Sequence, residues 1–333
     1  MNKKNLSTFI KKILIFLIPL LVIITGYIIS DPFKVTRTYK KYENKPVFLN
    51  QGYICWQTYL NHRDSLKYDS YILGNSCTVA FPTDLWKPFI KDATPIRIFG
   101  DAESLYAIHK KIKRLDQSNV PIKNVLLLLD NNTLQKVDKN NSHSRILHPD
   151  ISNIGIIEFQ KEFIIAFFNL KFLLPYIDYR IFHSYRKYMK GILTDKDLHR
   201  NQLTNDFRNP REDEILKTKE QYWIKHKKEF PKRDLIVDPY EQTIFNKQKN
   251  MLSEIGEILK RNKTNYQIII SPEWSQKEIN SKDLIELKRI FDLNRIHDFS
   301  GKNKYTQNQE YFYEKGHYRP LLGKIILQEI YKN

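Results

Sequence analysis

Two periods alternate along most of this chain and outline its architecture before any single residue is weighed. Short apolar runs at 70–73, 96–99, 125–129, 267–270 and 295–299 have strand length. Between them apolar residues return every three or four positions. Leu105, Ile108, Ile112 and Leu115 form one stripe within 102–115, and 251–259, 284–291 and 321–331 repeat the pattern. Strands alternating with amphipathic helices predict an α/β domain, a parallel sheet flanked by helices.

Two stretches depart from that alternation. The segment 13–30, ILIFLIPLLVIITGYIIS, carries no charge and is long enough to cross a bilayer as one helix. Lys3, Lys4, Lys11 and Lys12 precede it, which places the 1–12 tail in the cytoplasm and the remainder on the export side, a single-pass membrane topology. Lys34, Arg37, Lys40 and Lys41 follow the span and reduce the charge asymmetry. A cleavable signal peptide is the competing reading, but the apolar run is long for one and no A-x-A-like site follows. Residues 31–66 then read as a juxtamembrane linker and 67–333 as the exported domain.

The second departure lies within 134–245, too long for a plain loop and therefore read as a largely helical insertion. Its stretch Phe159 to Leu193 is dense in Phe, Ile, Leu and Tyr, with Lys161, Lys171, Arg180, Arg186, Lys187 and Lys190 interleaved. That pattern suits a helix lying on a membrane or docking on a membrane partner, while the simpler reading is a helix pair packed on the core. The stretch Thr194 to Lys232 is strongly polar and reads as solvated helix or loop.

Composition narrows the function classes. At 41% hydrophobic and 13% aromatic residues, the 333-residue chain is a folded protein. A formal charge of +18 implies attraction to something acidic, such as phosphate, uronic acid or anionic lipid. Nucleic acid is the weaker candidate, because the lysines are spread along the chain and no nucleic-acid-binding pattern accompanies them. Cys55 and Cys77 form no metal or redox motif, and H-E-x-x-H and Gly-rich phosphate loops are absent. No cofactor or metal is expected.

Chemistry concentrates in two places. The strand ending at Gly74-Asn75-Ser76 would set a serine hydroxyl at the carboxyl edge of the sheet, where ligands of open α/β folds bind. Alone, such a serine is more often a helix cap. Near the other end, Glu314 and His317 stand three residues apart in a Gly-containing loop before a terminal helix. A neutral imidazole can take the serine proton, and a carboxylate on its other nitrogen fixes the tautomer.

With these motifs the chain resembles the SGNH hydrolase superfamily. More narrowly, it is similar to membrane-anchored SGNH-like proteins related to the D-alanyl transfer protein of teichoic acid and to periplasmic alginate O-acetylation proteins. The resemblance rests on G-N-S at 74–76, on His297-Asp298-Phe299-Ser300-Gly301, and on Glu314-Lys315-Gly316-His317-Tyr318-Arg319-Pro320. It implies a three-layer, flavodoxin-like α/β/α fold, with Ser76 as nucleophile, His317 as base and Glu314 as its orienting acid. Gly100 would offer a backbone N–H to the oxyanion, and Asn131 or Asp130 would fill the third oxyanion position. The usual G-x-N-D is replaced by Leu128-Leu129-Asp130-Asn131, and an ionised Asp donates no hydrogen bond. Asp298 is a rival for the acid. The resemblance further implies a multi-spanning membrane O-acyltransferase as partner and an acidic or acetylatable glycan as acceptor. A carbohydrate esterase using water, and a catalytically silent glycan-binding or scaffolding protein, are the alternatives.

Overall fold

The computed structural model describes residues 3–43, 45–195, 198–234 and 236–332. They fall into two compact units, one of Met1–Tyr39, Asn44–Leu49 and Ile156–Lys196, the other of Lys40–Glu43, Asn50–Gly155 and Asp197–Asn333.

The larger unit is built on a five-stranded, wholly parallel sheet: β1 (Ser70–Gly74), β2 (Pro95–Phe99), β3 (Asn124–Leu129), β4 (Asn265–Ile270) and β5 (Ile296–Asp298). Each strand falls on one of the apolar runs, because strands buried on both faces need no polar alternation. Their spatial order, β2-β1-β3-β4-β5, makes the chain leave β1 on one side and return for β3 on the other. The crevice beyond the carboxyl ends of β1 and β3 is therefore the topological switch point.

Alternate strand residues feed two apolar layers. Tyr71, Leu73, Val125, Leu127 and Ile268 pack with helices Gln51–Leu66, Leu105–Gln117 and Asn246–Arg261. Ile72, Leu126, Leu128 and Ile269 pack with Ala80, Trp86 and the C-terminal helix Pro320–Ile330 through Leu322, Ile326 and Leu327. The sheet is thus sandwiched between helices.

The supposed linker 31–66 is not one throughout. Residues Gln51–Leu66 form a helix started by the Asn50 side chain, which accepts the Tyr53 N–H at 3.0 Å. Ile54, Cys55, Trp56 and Tyr59 are buried, and Cys55, Trp56 and Tyr59 join the first layer, so the domain begins near Asn50. Polar and apolar residues alike are buried in this helix, which therefore lacks the one-sided stripe that identifies the others.

In the smaller unit an N-terminal helix, Lys3–Ser30, is long and apolar enough over Ser7–Ser30 to cross a membrane. Of the expected 1–12 tail, Met1 and Asn2 lie outside the described residues, and from Lys3 the backbone is already helical. The aromatic stretch of the insertion forms helices Ile156–Phe168 and Leu170–Phe182, which cluster with this N-terminal helix in place of the sheet core.

Candidate active site

Three local constraints fix the turn after β1. Gly74 has φ +145°, and a Cβ there would stand 2.8 Å from the Leu128 carbonyl oxygen and 2.9 Å from the Leu128 Cβ, so only glycine fits beside β3. Asn75 then caps the 3-10 turn Ser76–Ala80, its Oδ1 accepting the Cys77 N–H at 2.9 Å. Its Nδ2 donates to Asp130 at 2.5 Å, tying the turn to the end of β3. Ser76 is thereby held at the switch point, at the head of the turn.

The second element is a two-stranded antiparallel hairpin, β6 (Phe312–Glu314) and β7 (His317–Tyr318), in which Glu314 pairs with His317. Glu314 Oε2 accepts the Gly316 N–H at 2.7 Å, and its Oε1 lies 2.5 Å from His317 Nδ1. His317 Nε2 lies 2.8 Å from Ser76 Oγ. With Glu314 ionised, Nδ1 carries the proton and Nε2 presents its lone pair to the serine hydroxyl. Burial pushes the Glu314 carboxyl up, but the bonds to His317 and to the Gly316 N–H, with the charges of His317 and Arg211, hold it below the ordinary value of 4.5. Ser76 and His317 open on a cavity of about 160 Å³, also lined by Val79, Asp101, Phe207, Asn209, Tyr313 and Tyr318.

Cys77 faces the same hairpin, its Sγ donating to the Gly316 carbonyl at 3.5 Å. Burial first, then the nearby Asp130, Glu273 and Glu314 carboxylates, push its thiol well above its ordinary value, which makes it a poor nucleophile.

The other sequence candidates are placed elsewhere. Asp130 caps the short helix Asn131–Gln135 by accepting the Thr133 N–H at 2.6 Å and takes the Asn75 amide besides. Asn131 is buried with its Oδ1 accepting from Thr243 Oγ1 at 2.9 Å. The Gly100 N–H donates to the Gly74 carbonyl at 3.3 Å. A Cβ on Gly100 would lie 2.7 Å from the Glu103 carboxylate, which pairs with the buried Lys111. None of the three lines the Ser76 cavity, so the expected third oxyanion donor is not supplied by Asp130 or Asn131. Asp298 accepts from the Ser300 N–H at 2.9 Å and from its hydroxyl at 2.6 Å, while Glu314 takes the His317 ring.

Sequence reasoning also missed what holds the hairpin. The polar segment read as solvated supplies its cradle, from helices Pro210–Thr218 and Gln221–Lys225. Glu212 clamps Arg319 at 2.6 and 3.1 Å and accepts from Tyr313 Oη at 2.6 Å. Tyr222 Oη donates to the Tyr313 carbonyl at 2.8 Å, Trp223 Nε1 to the Phe312 carbonyl at 3.2 Å, and Arg211 reaches both Glu229 and the Tyr313 carbonyl. Asn205 is fully buried, its amide donating to the carbonyls of Cys55 and Arg97. Arg319 and Arg211 thus each have a carboxylate partner, the Arg319–Glu212 pair nearly buried and the Arg211–Glu229 pair half-exposed.

Gly323 is the remaining omission. A Cβ there would stand 1.9 Å from the Ala80 carbonyl oxygen, so its absence lets the C-terminal helix seat directly on the Ser76 turn. A glycine inside an amphipathic helical pattern was the available signal.

No family model matches this chain, and no curated protein matches it significantly.

Proposed function

We propose that this protein is a membrane-anchored, export-side acyltransferase of SGNH type that O-acetylates an envelope or secreted polysaccharide through an acyl-Ser76 intermediate. The observation that carries this reading is the continuous relay from Ser76 Oγ through His317 to Glu314, with contacts of 2.8 and 2.5 Å.

In the first half-reaction Ser76 Oγ attacks the acyl carbonyl and its proton passes to His317 Nε2. The tetrahedral intermediate collapses, the bond from the carbonyl carbon to the leaving group breaks, and that group takes the proton from His317. In the second, a sugar hydroxyl gives its proton to His317 and attacks the ester carbon. Ser76 Oγ leaves and recovers the proton, so the enzyme returns unchanged. Glu314 holds the Nδ1 proton throughout and stabilises the imidazolium. Ser76's own backbone N–H, at the head of the 3-10 turn, would serve as a donor to the developing oxyanion.

The apolar N-terminal helix suits an activated acyl group delivered across the bilayer by a multi-spanning membrane O-acyltransferase, and the charge of +18 suits an acidic glycan acceptor. Two observations favour other outcomes. The His317 side chain is 43% exposed, which lets water compete as acceptor and gives an esterase. The engagement of Asp130 and Asn131 elsewhere favours a non-catalytic glycan-binding protein on the same fold.

Intact-protein mass spectrometry after incubation with an activated acetyl ester tests the reading. The expected result is one acetyl group on Ser76, lost in Ser76→Ala and His317→Ala and discharged onto added glycan. Discharge onto water alone selects the esterase. No adduct from any of several acyl donors overturns the catalytic reading.

A further inference from the structure

Helices Ile156–Phe168 and Leu170–Phe182 carry apolar residues well beyond the positions they bury. Phe159, Phe163 and Phe167 of the first, and Leu173 and Tyr176 of the second, are buried. Away from these, Ile157, Ile164 and Ile165, and the stripe Leu170, Leu174, Ile177 and Ile181, are each at least 38% exposed. The second set recurs at helical spacing, so it forms a continuous ridge along one face. Water against such an exposed ridge is unfavourable, and surfaces of this kind mark sites of contact with a partner or a membrane.

The contacts of the inner side fix where this pair lies along the N-terminal helix. The Tyr27 ring lies 5.1 Å from that of Phe167, and its hydroxyl donates to Gln160 Oε1 at 3.4 Å. Just past the helix end, Phe33 packs at 5.6 Å on Phe163 and 4.9 Å on Phe172, while Gln160 Nε2 donates to the Val35 carbonyl at 2.7 Å. Tyr27 is within a turn of the helix terminus at Ser30, about 5 Å along the axis. The pair is therefore held at the mouth of the apolar helix.

We propose that these two helices form an interfacial hairpin whose exposed ridge inserts into the lipid bilayer beside the exit of the N-terminal helix. This rests on reading that helix as a membrane span. An amphipathic helix at a membrane surface sinks about 5–10 Å into the boundary between headgroups and acyl chains, which matches contacts made about 5 Å from the end of the apolar helix. Lys161, Lys171 and Arg180 are exposed around the apolar positions, with stems long enough to lift their charges to the headgroups. The one acid of the second helix, Asp178, is already engaged by Arg186 at 3.1 Å and by Tyr188. Lipid, which needs no shape complementarity, accounts for an exposed apolar ridge on helices packed against the end of an apolar span.

The test uses the full, unmodified chain in phosphatidylcholine–phosphatidylglycerol vesicles containing a phospholipid with a diazirine near its acyl carbonyl. After photolysis, peptides are mapped by mass spectrometry. Adducts are expected on the N-terminal helix and on 156–182, and Ile165→Glu with Leu174→Glu is expected to cut the latter severalfold while leaving the former unchanged. Ile165→Ser with Leu174→Ser repeats the comparison with less risk to folding. Adducts on the N-terminal helix alone overturn the hairpin and leave the anchor standing, and a protein partner then covers the ridge. Adducts on neither overturn both, and hairpin labelling indifferent to both variant pairs shows mere proximity and overturns the insertion.

Discussion

Replacing Gly323 by alanine tests how the C-terminal helix fixes the Ser76 turn. The new Cβ would lie 1.9 Å from the Ala80 carbonyl oxygen, about 1.1 Å inside the 3.0 Å that real Cβ atoms respect, and the opposing atom is backbone. Helix propensity alone favours the change by about 1 kcal/mol. Overpacking costs about 1–3 kcal/mol, and a backbone clash of this depth belongs at the upper end. The clash therefore wins by about 2 kcal/mol, or a fall of about 4–8 °C in Tm for a unit of this size. Tryptophan fluorescence reads the right unit, since Trp56, Trp86, Trp223 and Trp274 all belong to the larger unit. Relief of the clash also moves Ser76 relative to His317 by about 1 Å, which lowers the acylation rate by about 10²-fold. Gly155→Ala, with nothing within 4 Å of its Cβ, serves as the control and leaves both readings unchanged. A Gly323→Ala protein as stable and as reactive as its parent would refute the idea that this contact fixes the turn.

Glu314→Gln keeps the shape of the hairpin but removes the charge on His317 Nδ1; the acetylation rate of Ser76, read by quenched-flow mass spectrometry, falls by about 10³–10⁴-fold, whereas Asp298→Ala leaves it unchanged. Glu212→Gln loosens the clamp on Arg319 at a cost of about 2 kcal/mol, read as a lower urea midpoint. For Glu212, burial acts upward, but bonds from Arg319 and Tyr313 hold the carboxyl below 4.5. A depressed folded value stabilises above the unfolded value and the gain is lost as pH falls through the folded one, so acidification below 4.5 lowers the urea midpoint and Glu212→Gln flattens that fall.

Strands and amphipathic helices of the sheet unit were legible because burial imposes a pattern on consecutive residues: a continuous apolar run where both faces are covered, a stripe where one is. The same logic made the 51–66 helix invisible, since Trp56 and Tyr59 are buried along with Gln51 and Thr58 and no stripe remains. Glu314 and His317 could be paired from sequence because they are three residues apart, and Ser76 because a strand delivers it to the sheet edge. Excluding Asp298 as the group on the His317 ring needed coordinates, since sequence does not show that the Asp298 carboxylate turns to Ser300. So did the places of Asp130 and Asn131, whose partners Asn75 and Thr243 lie 55 and 112 positions away.

The sequence by itself thus determined the apolar N-terminal helix, the parallel sheet and the residues able to form a proton relay, all consequences of local composition and periodicity. Only the tertiary structure decided what the charges of 194–232 do. Glu212 reads as one more surface acid until Arg319, 107 positions further on, is folded against it. A charge costs nothing in water and must be paired when buried, and which of the two applies is set by long-range packing that no local pattern records.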